Sequence, residues 1–321
     1  MKKLFTAMLF WVAALPMFGA DVAAVAEELA AKVTPGTITY RDENGGLYSK
    51  NELAHLAKGE LAGGQAAKKS ACAKPANADP IPALAAFNAE LAARGIKLIV
   101  LPVPPKLAIE PCAPLKRAEA MVYLRPFYQE LREQGIDVLD ISESYVDPEK
   151  HYFCRTDAHW NLVGIAAAAD ELAKRIPLRG NAAFKASETT LTVSGDLAKS
   201  LDAQNPETEQ LPFTPVDGKT IDANSPVLLI GDSHTLVFST GGDMLAEHGG
   251  LAEQLAVRLQ MPIDRIGVKG SAATAVRVDL YRKAVRDPRY LENKRFVIYC
   301  FSCREFTEST SGWVKVPVGK K

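Results

Sequence analysis

Long apolar runs that alternate with helical patterns constrain this chain most. IKLIVLPV (residues 96–103), SPVLLIG (225–231) and KRFVIYCFS (294–302) are apolar along most of their length. A strand with one wet face alternates apolar and polar residues, so continuous runs imply strands covered on both faces. Two shorter runs, IDVLDI (136–141) and IDRIGV (263–268), fit the same reading. Between them lie helical patterns: IPALAAFNAELAARG, LRPFYQELREQG, HWNLVGIAAAADELAKRI (159–176) and GLAEQLAVRLQM. The first two stop at glycine, and the third can be capped by Thr156 or Asp157. Strands alternating with helices predict an α/β fold, a parallel sheet with helices on both faces. Residues 180–224 break the alternation. They are polar and rich in Thr, Asn and Pro, and read as an insertion with one hairpin at TTLTVSG.

The N-terminus has a different character. MKK precedes a 17-residue uncharged run, LFTAMLFWVAALPMFGA. That layout predicts a signal peptide over residues 1–20, cut after Ala20 or Ala24. The other reading is an uncleaved anchor, although the run is just short of the ~20 residues of a spanning helix. Residues 21–80 read as a helical extension, broken at RDENGG, with a linker by composition over 62–80. Residues 81–321 then form the main domain. Export permits disulfides. Of the five cysteines, Cys72 and Cys112 are the first pair expected, while the CFSC cysteines (300–303) read as structural. Net charge is zero across 321 residues, so bulk attraction to nucleic acid is excluded and no such partner is expected.

In open parallel sheets ligands bind beyond the carboxyl ends of the strands. Ser233 follows the LLIG strand, Gly270 and Ser271 follow RIGV, Arg304 follows VIYCFSC, and Lys106 follows IVLPV. RTDAHWN (155–161) lies in a loop that feeds a helix. A serine hydroxyl needs a base to take its proton and a third group to orient that base. In an extended segment, side chains two apart point the same way, so Asp157 can hold the His159 ring with one nitrogen presented outward. Ser233 would then be the nucleophile and His159 the base. The Ser233 N–H, with one from Gly270 or Ser271, would stabilise the oxyanion. Such chemistry uses no cofactor. A metal site competes with this reading, because TDAH and GDSH are both Asp-x-His, and Asp243 and His248 follow. No Asn-His pair completes a binuclear pattern.

GDSHT, RTDAHWN, VPPKLAIEP and VIYCFSCREFTE together resemble the periplasmic alginate O-acetyltransferase family, an SGNH-hydrolase-like group. The resemblance spans about residues 81–313, with 180–224 poorly matched, and the Asp-His element precedes the nucleophile strand as in that family. It implies a three-layer, flavodoxin-like SGNH fold, with Ser233, His159 and Asp157 matching the family's triad. It also implies acetyl transfer to an exported polysaccharide in the periplasm, with acetyl supplied by a membrane-bound O-acyltransferase. Arg304 stands at a motif arginine, and Trp160 offers either a sugar-stacking platform or packing. The usual oxyanion asparagine has no counterpart here. No carbohydrate-binding domain is evident after the main domain. A carbohydrate esterase or a non-catalytic assembly factor would keep the same features.

Overall fold

The computed structural model describes residues 21–112 and 115–319. The signal segment expected over residues 1–20 lies outside the described residues. The core is a five-stranded sheet: β1 (Lys97–Val103), β2 (Asp137–Val138), β3 (Val227–Gly231), β4 (Asp264–Gly267) and β5 (Phe296–Ser302). Every pairing is parallel, in the order β2-β1-β5-β3-β4. Apart from Lys97 at the start of β1, the central strands are buried, as continuous apolar runs require.

Helices α1 (Val22–Ala31) and α2 (Lys50–Leu56) precede the sheet, and α3 (Pro80–Ala92) leads into β1. Crossovers are made by α4 (Leu124–Glu133), α5 (Leu162–Arg175), α6 (Leu251–Leu259) and α7 (Ala275–Arg286). Parallel crossovers are right-handed. Steps from β1 to β2 and from β4 to β5 run one way across the sheet; the other two run the opposite way. That places α4 and α7 on one face and α5 and α6 on the other. The packing agrees: α5 lies against α6, while α3 meets α7, where the Arg277 guanidinium sits 5.9 Å over the Phe87 ring, and the end of α4, where Asn88 donates to the Gly135 carbonyl at 3.1 Å. The result is a three-layer α/β fold.

Several local expectations need correction. Helix α5 starts at Leu162 and is capped by Asn161, whose side chain accepts from the Val163 and Gly164 N–H groups. Thr156 and Asp157 are not caps, because their oxygens are used elsewhere. RDENGG is the turn of a small hairpin, Thr39–Arg41 with Leu47–Ser49. The segment 62–80 lies along the C-terminal residues: Ala71 N–H donates to the Thr307 carbonyl, and Trp313 N–H to that of Asn77. The Cys72–Cys112 pair does not form. All five thiols are free and buried, and Cys72 packs beside Gly312 while Cys112 lies near Tyr48. Within the 180–224 region, Thr189–Val193 pairs antiparallel with Glu209–Phe213. Among the described residues no helix is long and apolar enough to cross a membrane.

Candidate active site

The nucleophile candidate sits where β3 ends. Gly231 lets β3 and β5 come together, since a Cβ there would lie 1.7 Å from the Cys300 carbonyl oxygen. Asp232 then ties the two strand ends. Its Oδ2 accepts from the Ser302 N–H at 2.7 Å, and Oδ1 accepts from the His234 N–H at 2.9 Å. That cap starts a single turn, Ser233–Thr235, which leaves Ser233 half-buried at the rim. Among the described residues the N–H groups of Ser233, Gly270 and Ser271 have no hydrogen-bond partner.

The loop 155–159 has no regular structure, so its polar groups need partners from elsewhere. The Glu209 carboxylate takes the Arg155 and Thr156 N–H groups at 2.8 and 2.7 Å and the Thr156 hydroxyl at 2.6 Å. The Lys106 ammonium donates to the carbonyls of Arg155 and Asp157 at 3.0 and 3.1 Å. Asp196 accepts from the Ala158 N–H at 2.9 Å and gives its own N–H to Asp157 Oδ2 at 3.0 Å. Gly195 makes that approach possible, because a Cβ there would fall 2.3 Å from the Asp157 Cβ.

Held this way, Asp157 Oδ1 lies 2.5 Å from His159 Nδ1, and His159 Nε2 lies 2.7 Å from Ser233 Oγ. The two motifs, 74 residues apart, form one hydrogen-bonded line. Burial opposes charge on both partners. The His159 imidazolium and the N–H bonds overcome it at Asp157 and hold that carboxyl well below the usual range. Burial would likewise lower the His159 pKa, but the Asp157 carboxylate, aided by Asp196 and Asp232, raises it to about 9. Burial and the Asp157 charge push the Asp196 carboxyl up.

Asp157, His159 and Asp196 offer ligand atoms within 4.8 Å of one another, a spacing that suits a cation. Yet both His159 nitrogens and both Asp157 oxygens are already engaged in the line and its supports. The other residues of the competing metal reading do not join them: Asp232 and His234 pair with each other, Oδ1 to Nδ1 at 3.1 Å. Asp243 is exposed and pairs with Lys269 at 2.5 Å, and exposed His248 lies beside Glu247.

The other expected residues are placed differently. Trp160 is fully buried and donates from Nε1 to the His234 carbonyl at 3.2 Å, so it packs between the two motif loops and offers no stacking surface. Lys106 is buried with its ammonium turned into the loop, so it is no rim contact. The Ser271 hydroxyl bonds Glu305 Oε2, which also takes the Ala273 N–H at 3.3 Å. Gly270 is exposed beside it, with φ +87°. Arg304 is partly exposed, 3.9 Å from Glu305 Oε1, and its guanidinium makes no hydrogen bond among the described residues.

Sequence reasoning passed over Glu52, His55, Asp196 and Glu209, and read the paired Asp232–His234 only as candidate metal ligands. Glu52 and His55 are three apart on α2 and share its buried face, a spacing readable in NELAHLA. Burial raises the carboxyls of Glu52 and Glu305 to about 7 each, against the nearby Arg304 charge, and lowers the His55 pKa to about 3. The His234 ring lies 4.7 Å from the His159 ring; burial lowers its pKa, and its Nε2 has no partner among the described residues. A cavity of about 930 Å³ opens beside Lys106, Arg155 and Glu209 on the flank of the loop, and neither Ser233 nor His159 lines it.

A parallel α/β sheet of this order, with a serine turn at the end of a central strand and an Asp-x-His loop beside it, defines an SGNH-hydrolase-like domain. Residues 62–281 match the family model described as the SGNH hydrolase-like domain of acetyltransferase AlgX, and the chain belongs to that family. Solved structures agree on the fold. The O-acetyltransferase domain of Pseudomonas putida AlgJ aligns at a TM-score of 0.63 and 18% identity, over 84% of this chain and 92% of that one. Pseudomonas aeruginosa AlgX aligns at 0.58 and 17% identity, over 88% of this chain and 67% of its own. No curated protein matches the sequence.

Proposed function

We propose that this chain is an exported O-acetyltransferase that places acetyl groups on a polysaccharide in the periplasm, through an acetyl-serine at Ser233. One observation carries the reading: the Asp157–His159–Ser233 line, 2.5 and 2.7 Å long, in a member of an acetyltransferase family. Ser233 Oγ attacks the acetyl carbonyl while its proton passes to His159 Nε2. Asp157 stabilises the imidazolium, and the donor's leaving oxygen takes the proton as the carbonyl–oxygen bond breaks. A sugar hydroxyl then attacks the acetyl-serine, giving its proton to His159, which returns it to Ser233. The unpartnered Ser233 N–H, with that of Gly270 or Ser271, receives the oxyanion. The partners are the polysaccharide acceptor and a membrane-bound O-acyltransferase that supplies acetyl.

The test is incubation with p-nitrophenyl acetate and a panel of neutral and uronic oligosaccharides, read by mass spectrometry beside Ser233→Ala. Acetylated oligosaccharide from the parent alone supports transfer. Acetate release with no acetylated sugar would make the chain a carbohydrate esterase instead.

A further inference from the structure

Helix α2 lies ahead of the residues that the family model matches, yet its carboxylate reaches the site. Glu52 is buried, and its Oε2 accepts from the Lys106 N–H at 3.1 Å. Lys106 opens a short turn, Lys106–Ile109, just beyond β1. Its ammonium, also buried, ends on the carbonyls of Arg155 and Asp157 and lies 5.6 Å over the Tyr48 ring. A buried ammonium is destabilising unless its donors are satisfied. Here the satisfying groups are the backbone of the loop that carries Asp157 and His159. A path therefore runs from Glu52 through Lys106 and Asp157 to His159 and Ser233, each link being a hydrogen bond or a residue's own framework.

We propose that Lys106 and Glu52 are positioning residues, which hold the Asp157–His159 loop in register with Ser233 and make the N-terminal helix α2 part of the active site. This rests on the acetyl-transfer reading for its kinetic consequence, though not for its geometry. The loop has no hydrogen-bond ladder of its own, so its placement depends on the side chains that grip it. Glu209 and Asp196 hold it from one side, and Lys106 is the grip from the sheet. Glu52 fixes the backbone of Lys106 and so the point from which the ammonium reaches.

The experiment uses the full chain with Lys106→Met, Glu52→Leu and Glu52→Gln. The first readout is the ring titration of His159 by 15N NMR, which needs no turnover. The groups facing His159 are Asp157, Asp196, Asp232, His234 and, farther off, Glu52. Loss of the Glu52 charge lowers the titration equally in Glu52→Leu and Glu52→Gln, so the difference between those two variants reports positioning. Removing the Lys106 charge alone would move the His159 titration upward. Slackening of the Asp157 contact moves it downward, toward the ordinary value of ~6.5. Lys106→Met is expected to lower it by about one unit. The second readout is p-nitrophenyl acetate kinetics: kcat falls about 10- to 100-fold with KM little changed, as for a misplaced catalytic group. Glu52→Leu shifts both in the same sense. Glu52→Gln, which keeps an acceptor for the Lys106 N–H, recovers most of that loss. Circular dichroism establishes that each variant folds, and if Lys106→Met does not, the two Glu52 variants decide. A folded Glu52→Leu or Lys106→Met with parental His159 titration and kcat within about threefold would overturn the proposal. If the parent shows no Ser233-dependent turnover while the His159 shifts occur as expected, acetyl transfer fails and the positioning role stands.

Discussion

Replacing Gly195 by alanine tests whether the polar 180–224 region governs the site. Gly195 has φ −88° and ψ 179°, which alanine adopts freely, so any effect is steric. The added methyl would meet the Asp157 Cβ at 2.3 Å and the Thr156 carbonyl at 2.5 Å. Ordinary contact begins near 3.4 Å, so the two segments must part by about 1.1 Å. The Asp196 N–H then lies about 4 Å from Asp157 Oδ2 and that 3.0 Å bond is lost. Overpacking of this kind destabilises by about 1–3 kcal/mol. A displacement near 1 Å in a reacting group lowers rate by about 100-fold. Gly195→Ala should therefore remain folded, melt earlier, and lose about two orders of magnitude in kcat/KM for p-nitrophenyl acetate. Parental kcat/KM in the folded variant would refute the claim that this approach sets the position of Asp157.

Two further outcomes follow from the same structure. His159 must be neutral to accept the Ser233 proton, and Asp157 keeps it protonated to about 9. Initial rates of p-nitrophenol release should rise about tenfold per pH unit through neutrality and level off only near that value, whereas a plateau already reached near pH 7 would contradict the electrostatics. All five cysteines are buried and free, so a thiol reagent should find no reactive group in the folded chain and five in denaturant; three or fewer would mean that a disulfide forms.

The sheet was legible because burial on both faces leaves short apolar runs, and their length and the glycine-stopped helical patterns between them separate them from buried helix. Ser233 and the Asp157–His159 pair were legible because their chemistry needs fixed residue types at short spacing. What closes the site was not. Glu52 reads as one acid on an amphipathic helix, and Glu209 as one more polar residue in an insertion, until the fold sets them against Lys106 and Thr156. The strand-end rule located the backbone of Lys106 but not its side chain, which turns inward, as does that of Trp160. Asn161 displaced Thr156 and Asp157 as the cap of α5 because those two oxygens serve Glu209, Asp196 and His159.

In the proposed reaction Ser233 carries the acetyl group. Intact-mass spectrometry of the chain mixed with p-nitrophenyl acetate and quenched early tests it directly, beside Ser233→Ala. One added acetyl group is expected on the parent, mapped to Ser233 and absent from the variant. An equal adduct on both, or none on the parent while p-nitrophenol is released, would contradict it.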